Sequence, residues 1–287
     1  MRTWIVLASL FLPGLFPFPS EASPVPLSTC GEVIADATLT SDIDCSDASG
    51  FAVIIEDGGS LDLAGHRIIG TRSGEVVDAP AVGGGILCKG SCTIAGDGSV
   101  EAPAGLQEGR YPVGLYQPPY GVKRKQIMRI QDVRVSGWLG LGAVGVLGGN
   151  VAISGSQITD NSTGLSVTRP QIANCSFENN EIGAHLWAGS VDASEFAGNS
   201  RAALSSEKRV KLSDSTLSGN GTVGYYGGKL LARDSTISGN CTTPVGTAHC
   251  ADIVTRSSTQ YPRIDRASCG TSWQREPDKS WNLCSLD

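Results

Sequence analysis

Residues 213–220 read SDSTLSGN and residues 233–240 read RDSTISGN, so nearly the same phrase ends at Asn220 and again at Asn240. Looser copies precede them: SGSQITDN ending at Asn161, ANCSFENN at Asn180 and DASEFAGN at Asn199. The terminal asparagines are spaced 19, 19, 21 and 20 residues apart. A fixed period of this size marks a solenoid, in which each repeat is one coil that buries its apolar face against its neighbours.

Counting back from each asparagine gives columns with distinct chemistry. Three residues before it stand Ile158, Phe177, Phe196, Leu217 and Ile237, all apolar. Five before it stand Ser156, Cys175, Ser194, Ser215 and Ser235, all small. Eight before it stand Ile153, Ile172, Val191, Leu212 and Ala232, apolar again. The two apolar segments are short and alternating, as in strands with one buried face. Between them, six before the asparagine, lie Gly155, Asn174, Ala193, Asp214 and Asp234. Gly, Asn and Asp tolerate a left-handed backbone, so the chain is expected to bend there. A third strand follows a glycine soon after most of the asparagines, as in GLSVT at 164–168 and GAHLW at 183–187.

Three strands and three corners in about twenty residues make one coil of a parallel β-helix. Equivalent residues then stack roughly 4.8 Å apart, which is why the phrase repeats. Stacked asparagines are expected to form a hydrogen-bonded ladder. Cys175 takes a serine's place in the small column and reads as a free, packed thiol. Less regular coils are read at 51–70, 84–102 and 120–137. The expected total is eight or nine coils, a shaft roughly 40 Å long at one strand spacing per coil. The expected division is an N-terminal cap at 23–50, the β-helix at 51–255 and a C-terminal cap at 256–287.

The N-terminus, MRTWIVLASLFLPGLFPFPSEAS, has Arg2 ahead of a short apolar run at 4–16, with Ser20 and Ala22 placed for cleavage. Residues 1–22 read as a secretory signal peptide, and no other apolar segment is long enough to cross a membrane. Secretion, to the outside or to a periplasm, permits disulfides. The nine cysteines pair by proximity as Cys30–Cys45, Cys88–Cys92, Cys241–Cys250 and Cys269–Cys284, with Cys175 left over. No metal site and no cofactor are expected. A net charge of −6 gives no basic footprint for nucleic acid, and a monomer is expected.

The phrase SLDLAGHRIIG at 60–70, the coils ending DSTISGN and the opening CGEVIADATLTSDIDC at 30–45 resemble secreted right-handed parallel β-helix repeat proteins of the pectate-lyase-like superfamily. The resemblance covers roughly residues 30–255. It implies the fold, an all-β right-handed parallel β-helix with disulfide-bonded end caps. It leaves function open, because the fold hosts lyases, hydrolases, epimerases, adhesins and non-catalytic shafts.

Enzymes of this resemblance place their site on the outer face of the first strands. Projecting that face gives Lys123, Leu147, Ser166, His185, Leu204 and Tyr226, with Lys125, Thr168, Trp187 and Ser206 in the next row. A calcium-dependent lyase needs convergent carboxylates, and a glycosidase needs paired acids. The projected rows contain neither. The chain also has no Asp-Asp pair and no Asp-Pro-His-Asp signature of alginate epimerases. Aromatic rings among polar groups do suit a sugar face. Two insertions, at 71–84 and 103–120, interrupt the corner before the first strand, and the second brings Tyr111, Tyr116 and Tyr120 towards Lys123. Tyr111, Tyr116, Tyr120, Lys123, Lys125, His185, Trp187 and Tyr226 are therefore the candidate glycan-binding residues. The expected function is glycan binding or a surface interaction scaffold, with an extracellular polysaccharide or cell-surface glycan as partner. The alternative is a polysaccharide lyase, hydrolase or epimerase, with Glu75, Asp78 or Glu108 supplied by the loops.

Overall fold

The computed structural model describes residues 24–72, 83–105, 111–118, 125–242 and 251–255, with four further short strands between Arg263 and Trp281. All regular structure among them is strand. The coil closed by Asn199 is representative, with a first strand Ile182–Leu186, a second Gly189–Asp192 and a third Glu195–Ala197. Each pairs in parallel with its counterparts in the coils before and after. First and second strands merge into a 19-stranded sheet, because Val144–Ser154 and Thr163–Ala173 run unbroken through their shared corner. Third strands form a separate 10-stranded sheet. Eight coils lie between Phe51 and Ser238 and a ninth begins at Ala251. The stacking continues into the flanks, where Glu32–Leu39 pairs with Phe51–Asp62 and Ser268–Cys269 pairs with Thr236–Ser238. The one antiparallel pairing among the described residues, Trp273–Arg275 with Lys279–Trp281, comes after the last coil.

The columns behave as their chemistry requires. Ile158, Phe177, Phe196, Leu217 and Ile237 are each 0 % exposed. The bend column is left-handed throughout, at Gly155 (φ 60°), Asn174 (53°), Ala193 (43°), Asp214 (48°) and Asp234 (47°). These backbones turn the chain between second and third strands, a conformation that costs L-residues other than Asn and Asp most.

The asparagines form the ladder. Nδ2 of Asn161, Asn180, Asn199 and Asn220 donates to Oδ1 of the next asparagine at 3.0, 3.0, 2.8 and 2.7 Å. The same Oδ1 also accepts the backbone N–H of the preceding asparagine at 3.0–3.2 Å. Downstream, the ladder ends on buried Asp252, whose Oδ1 accepts the N–H and Nδ2 of Asn240 at 3.1 and 2.8 Å. Upstream, the column position belongs to Trp138, whose N–H donates to Asn161 Oδ1 at 3.1 Å. Its fully buried indole needs space, and Gly70 and Gly114 supply it: a Cβ at either would lie within 2.7 Å of the ring. Asn161 and Asn220 begin N-x-S/T sequons, but both are buried in the ladder and unavailable to a glycosyl group.

The small column makes a second ladder. The Oγ atoms of Ser194, Ser215 and Ser235 accept the N–H groups of Cys175, Ser194 and Ser215 at 3.1, 3.1 and 3.2 Å. Cys175 is a free, buried thiol that donates to the Ala173 carbonyl at 3.2 Å, just as Ser194 donates to Asp192. Burial raises its pKa to about 11 from 9.0, since desolvation disfavours the thiolate. The folded state therefore holds the thiol proton more tightly than the unfolded chain. The resulting stabilisation is complete below pH 9 and is lost as pH rises through about 11. In the native protein this thiol is expected to resist a thiol reagent at neutral pH. Cys175→Ser should change the unfolding free energy by less than about 1 kcal/mol, because serine already fills this column. Rapid native labelling, or a large destabilisation in a urea melt, would contradict that placement.

Cys30–Cys45 and Cys88–Cys92 are disulfide-bonded. Cys241 is also in a disulfide, while Cys250 and Cys284 lie outside the described residues, as do the side chain of Cys269 and residues 1–22, where a signal peptide is expected. No described helix is long and apolar enough to cross a membrane.

Candidate functional site

Parallel register fixes which side chains share the outer face of the first strands. One column runs Tyr116, Leu147, Ser166, His185, Ser205, Tyr226 and Val254. A second runs Val113, Val144, Thr163, Ile182, Ala202, Val223 and Ala251. Neither contains a carboxylate among these described residues. His185 and Tyr226 are thus aligned as expected, whereas Tyr116, expected in a loop, takes the place in the column expected of Lys123. Tyr116 lies three coil steps from His185, roughly 14 Å, and Tyr226 two steps on the other side.

Two expectations need correction. Leu204 is fully buried, and Ser205 takes the outward place, bonded to His185 Nδ1 through its Oγ at 2.8 Å. Ser206 is likewise buried, bonded to the Tyr225 hydroxyl at 2.6 Å. The slip has a local cause. One residue separates Asn180 from its following strand at Ile182, but two separate Asn199 from Ala202. The extra residue lies in the turn, so a fixed offset from the asparagine lands one residue early.

The other correction concerns the basic run. The first strand of that coil is Val113–Tyr116, and the chain reaches its second strand only at Met128–Gln131. Lys125 is an exposed turn residue just before that second strand, so it does not belong to the first-strand row. Lys123 and Tyr120 lie outside the described residues, as do the loop acids Glu75, Asp78 and Glu108. Tyr111 is 53 % exposed at the preceding corner, where its ring fits against Gly142 and a Cβ there would lie 2.1 Å from it. Tyr116 packs its ring parallel to Phe51, centroids 5.8 Å apart.

The densest grouping is around His185 and Trp187. Trp187 directly follows the strand Ile182–Leu186, at the corner between first and second strands, and is 49 % exposed. Its carbonyl accepts the N–H of Lys208 at 2.8 Å, and Lys208 Nζ lies 5.4 Å from the indole centroid. A cation over an indole face is attracted by the ring quadrupole and braces the ring. The structure therefore brings together His185, Ser205, Trp187 and Lys208, with Tyr226 one coil beyond Ser205. Tyr111, Tyr116 and Lys125 stand apart. Lys208 escapes a reading by sequence because its partnership with Trp187 arises only from stacking.

The outer side of the second strands carries a shallow groove of about 340 Å³. Ala152, Ser154, Ala173 and Ser190 line it together with the longer Arg129, Gln131, Gln171 and Asp192. No group of three or more His, Cys, Asp or Glu residues suited to a metal occurs among the described residues.

Stacked parallel strands, three to a coil, define a β-helix protein. Residues 121–261 match the family model described as right handed beta helix region, and the chain is a right-handed parallel β-helix. Among solved structures it is similar to the periplasmic alginate epimerase AlgG, at 11% identity and a TM-score of 0.39, covering 83% of this chain and 84% of that chain. A point mutant of the same epimerase matches at 12% identity, with a TM-score of 0.31 and the same coverage. No curated protein matches the chain.

Proposed function

We propose that this chain is an exported β-helix that binds extracellular polysaccharide on the outer face of its first strands and at the adjoining corner. The observation that carries this reading is the half-exposed indole of Trp187, braced by Lys208 beside the His185–Ser205 pair. An indole buries the apolar C–H face of a sugar, while neighbouring polar groups meet its hydroxyls. Export is supported by the disulfides and by the leader-like residues 1–22, and the protein acts as a monomer.

The test is size-exclusion chromatography of the mature protein with a panel of neutral and acidic polysaccharides. Co-elution with an intact polymer is expected. Trp187→Ala should weaken it about tenfold, the scale at which a central aromatic contact contributes to binding. Co-elution unchanged in Trp187→Ala would remove the corner from the site. A polymer that shortens with time would make the chain a depolymerase instead.

A further inference from the structure

The corner that holds Trp187 also gathers positive charge, although the protein as a whole is acidic at −6. Parallel register pairs Asn150 with Arg169 and Gln171 with Ser190, and sets Gly189, Val210 and Leu230 opposite one another. One residue before that row stand Arg169, Ala188, Arg209 and Lys229, a single column at the entrance to the second strands. Lys208 adjoins the column, and Lys211 lies two residues past Arg209 on the outward side of its strand. Arg169, Lys208, Arg209 and Lys211 are exposed and Lys229 is half-buried.

None of these five cations is ion-paired among the described residues, whereas Lys89, Arg201 and Arg233 elsewhere each have a carboxylate partner. The nearest acids in the register are Glu207 and Asp192, and Asp192 already accepts a hydrogen bond from Ser213 Oγ. The column from Arg169 to Lys229 spans three coil steps, roughly 14 Å. Like charges held this close by a rigid scaffold repel one another, and a polyanion relieves that repulsion by replacing several small counterions at once.

We propose that this stripe binds the anionic groups, carboxylate or sulfate, of an acidic polysaccharide laid along the shaft across the second-strand corner. The choice of a glycan over other polyanions rests on the reading of Trp187 as a sugar platform, since Trp187 lies in the coil between Arg169 and Arg209.

The experiment compares the native protein, the surface variant Arg169→Ala/Arg209→Ala/Lys229→Ala and Trp187→Ala. Each is assayed for binding to dextran sulfate, polygalacturonate and neutral dextran, with duplex DNA and phosphatidylserine vesicles as rival polyanions. The native protein is expected to prefer a charged polysaccharide to dextran, and to lose that preference as salt rises from about 50 to 200 mM. The triple variant should bind the charged polymer about tenfold more weakly, with dextran binding unaltered. Equal binding of the triple variant and the native protein, binding insensitive to salt, or binding to DNA or vesicles alone would overturn the proposal. Dextran binding that is lost only in Trp187→Ala, without preference for charged polymers, overturns it and leaves the glycan-binding reading standing. Charged-polymer binding weakened in the triple variant but not in Trp187→Ala supports the stripe and counts against Trp187.

Discussion

Asn199→Ala is expected to lower stability by about 3–5 kcal/mol, through several buried polar groups left without partners at about 1–3 kcal/mol each. Asn199 is fully buried in the middle of the ladder. Its Oδ1 accepts the N–H and Nδ2 of Asn180 at 3.1 and 3.0 Å. Its Nδ2 donates to the Phe177 carbonyl at 3.0 Å and to Asn220 Oδ1 at 2.8 Å. Alanine removes all four bonds. The measurement is a urea melt, read as a shift of midpoint at constant slope. A loss below about 1 kcal/mol would mean that the ladder specifies register without stabilising the fold.

The companion prediction concerns the apolar column beside it. Phe177 and Phe196 are fully buried and stack with centroids 4.5 Å apart and planes 5° from parallel. Phe196→Ala removes most of a buried ring from a packed interior, and about 3–5 kcal/mol of destabilisation is expected. Phe196→Leu keeps most of the volume and should cost less than about 1.5 kcal/mol. Both values come from the same melts. Equal effects for alanine and leucine would show that the lost stacking, rather than the cavity, dominates.

These sites were legible in the sequence because a solenoid repeats its environment. Ile158, Phe177 and Leu217 meet the same neighbours, so each copy of the phrase testifies for the others. The bend at Asp214 and Asp234 could be read because few residue types accept a positive φ. The first-strand face was legible where the period held, as at Ser166 and His185. It failed at Leu204, where one added turn residue shifts the phase. It failed again near Lys123, where the stretch between Tyr116 and Met128 breaks the period and carries its own apolar–polar alternation. Residues that act across coils leave weaker traces. Arg169, Arg209 and Lys229 are 40 and 20 residues apart, and nothing local marks them as neighbours. Their charge becomes a feature only when the strands are laid side by side.

The amide ladder also has a sense of direction. It starts at Trp138, which offers the run only a donor, and ends at Asp252, whose side-chain oxygen accepts twice. Between them, every asparagine gives to the next and receives from the one before. A duplicated coil inserted anywhere between Asn161 and Asn240 would find its donor and acceptor waiting, and the run would simply lengthen. The same coil added beyond Asp252 would meet a side chain with no hydrogen to give, and one placed before Trp138 would meet a side chain with no oxygen to receive. Growth of this shaft by repeat duplication is thus open in its middle and closed at both ends of the ladder.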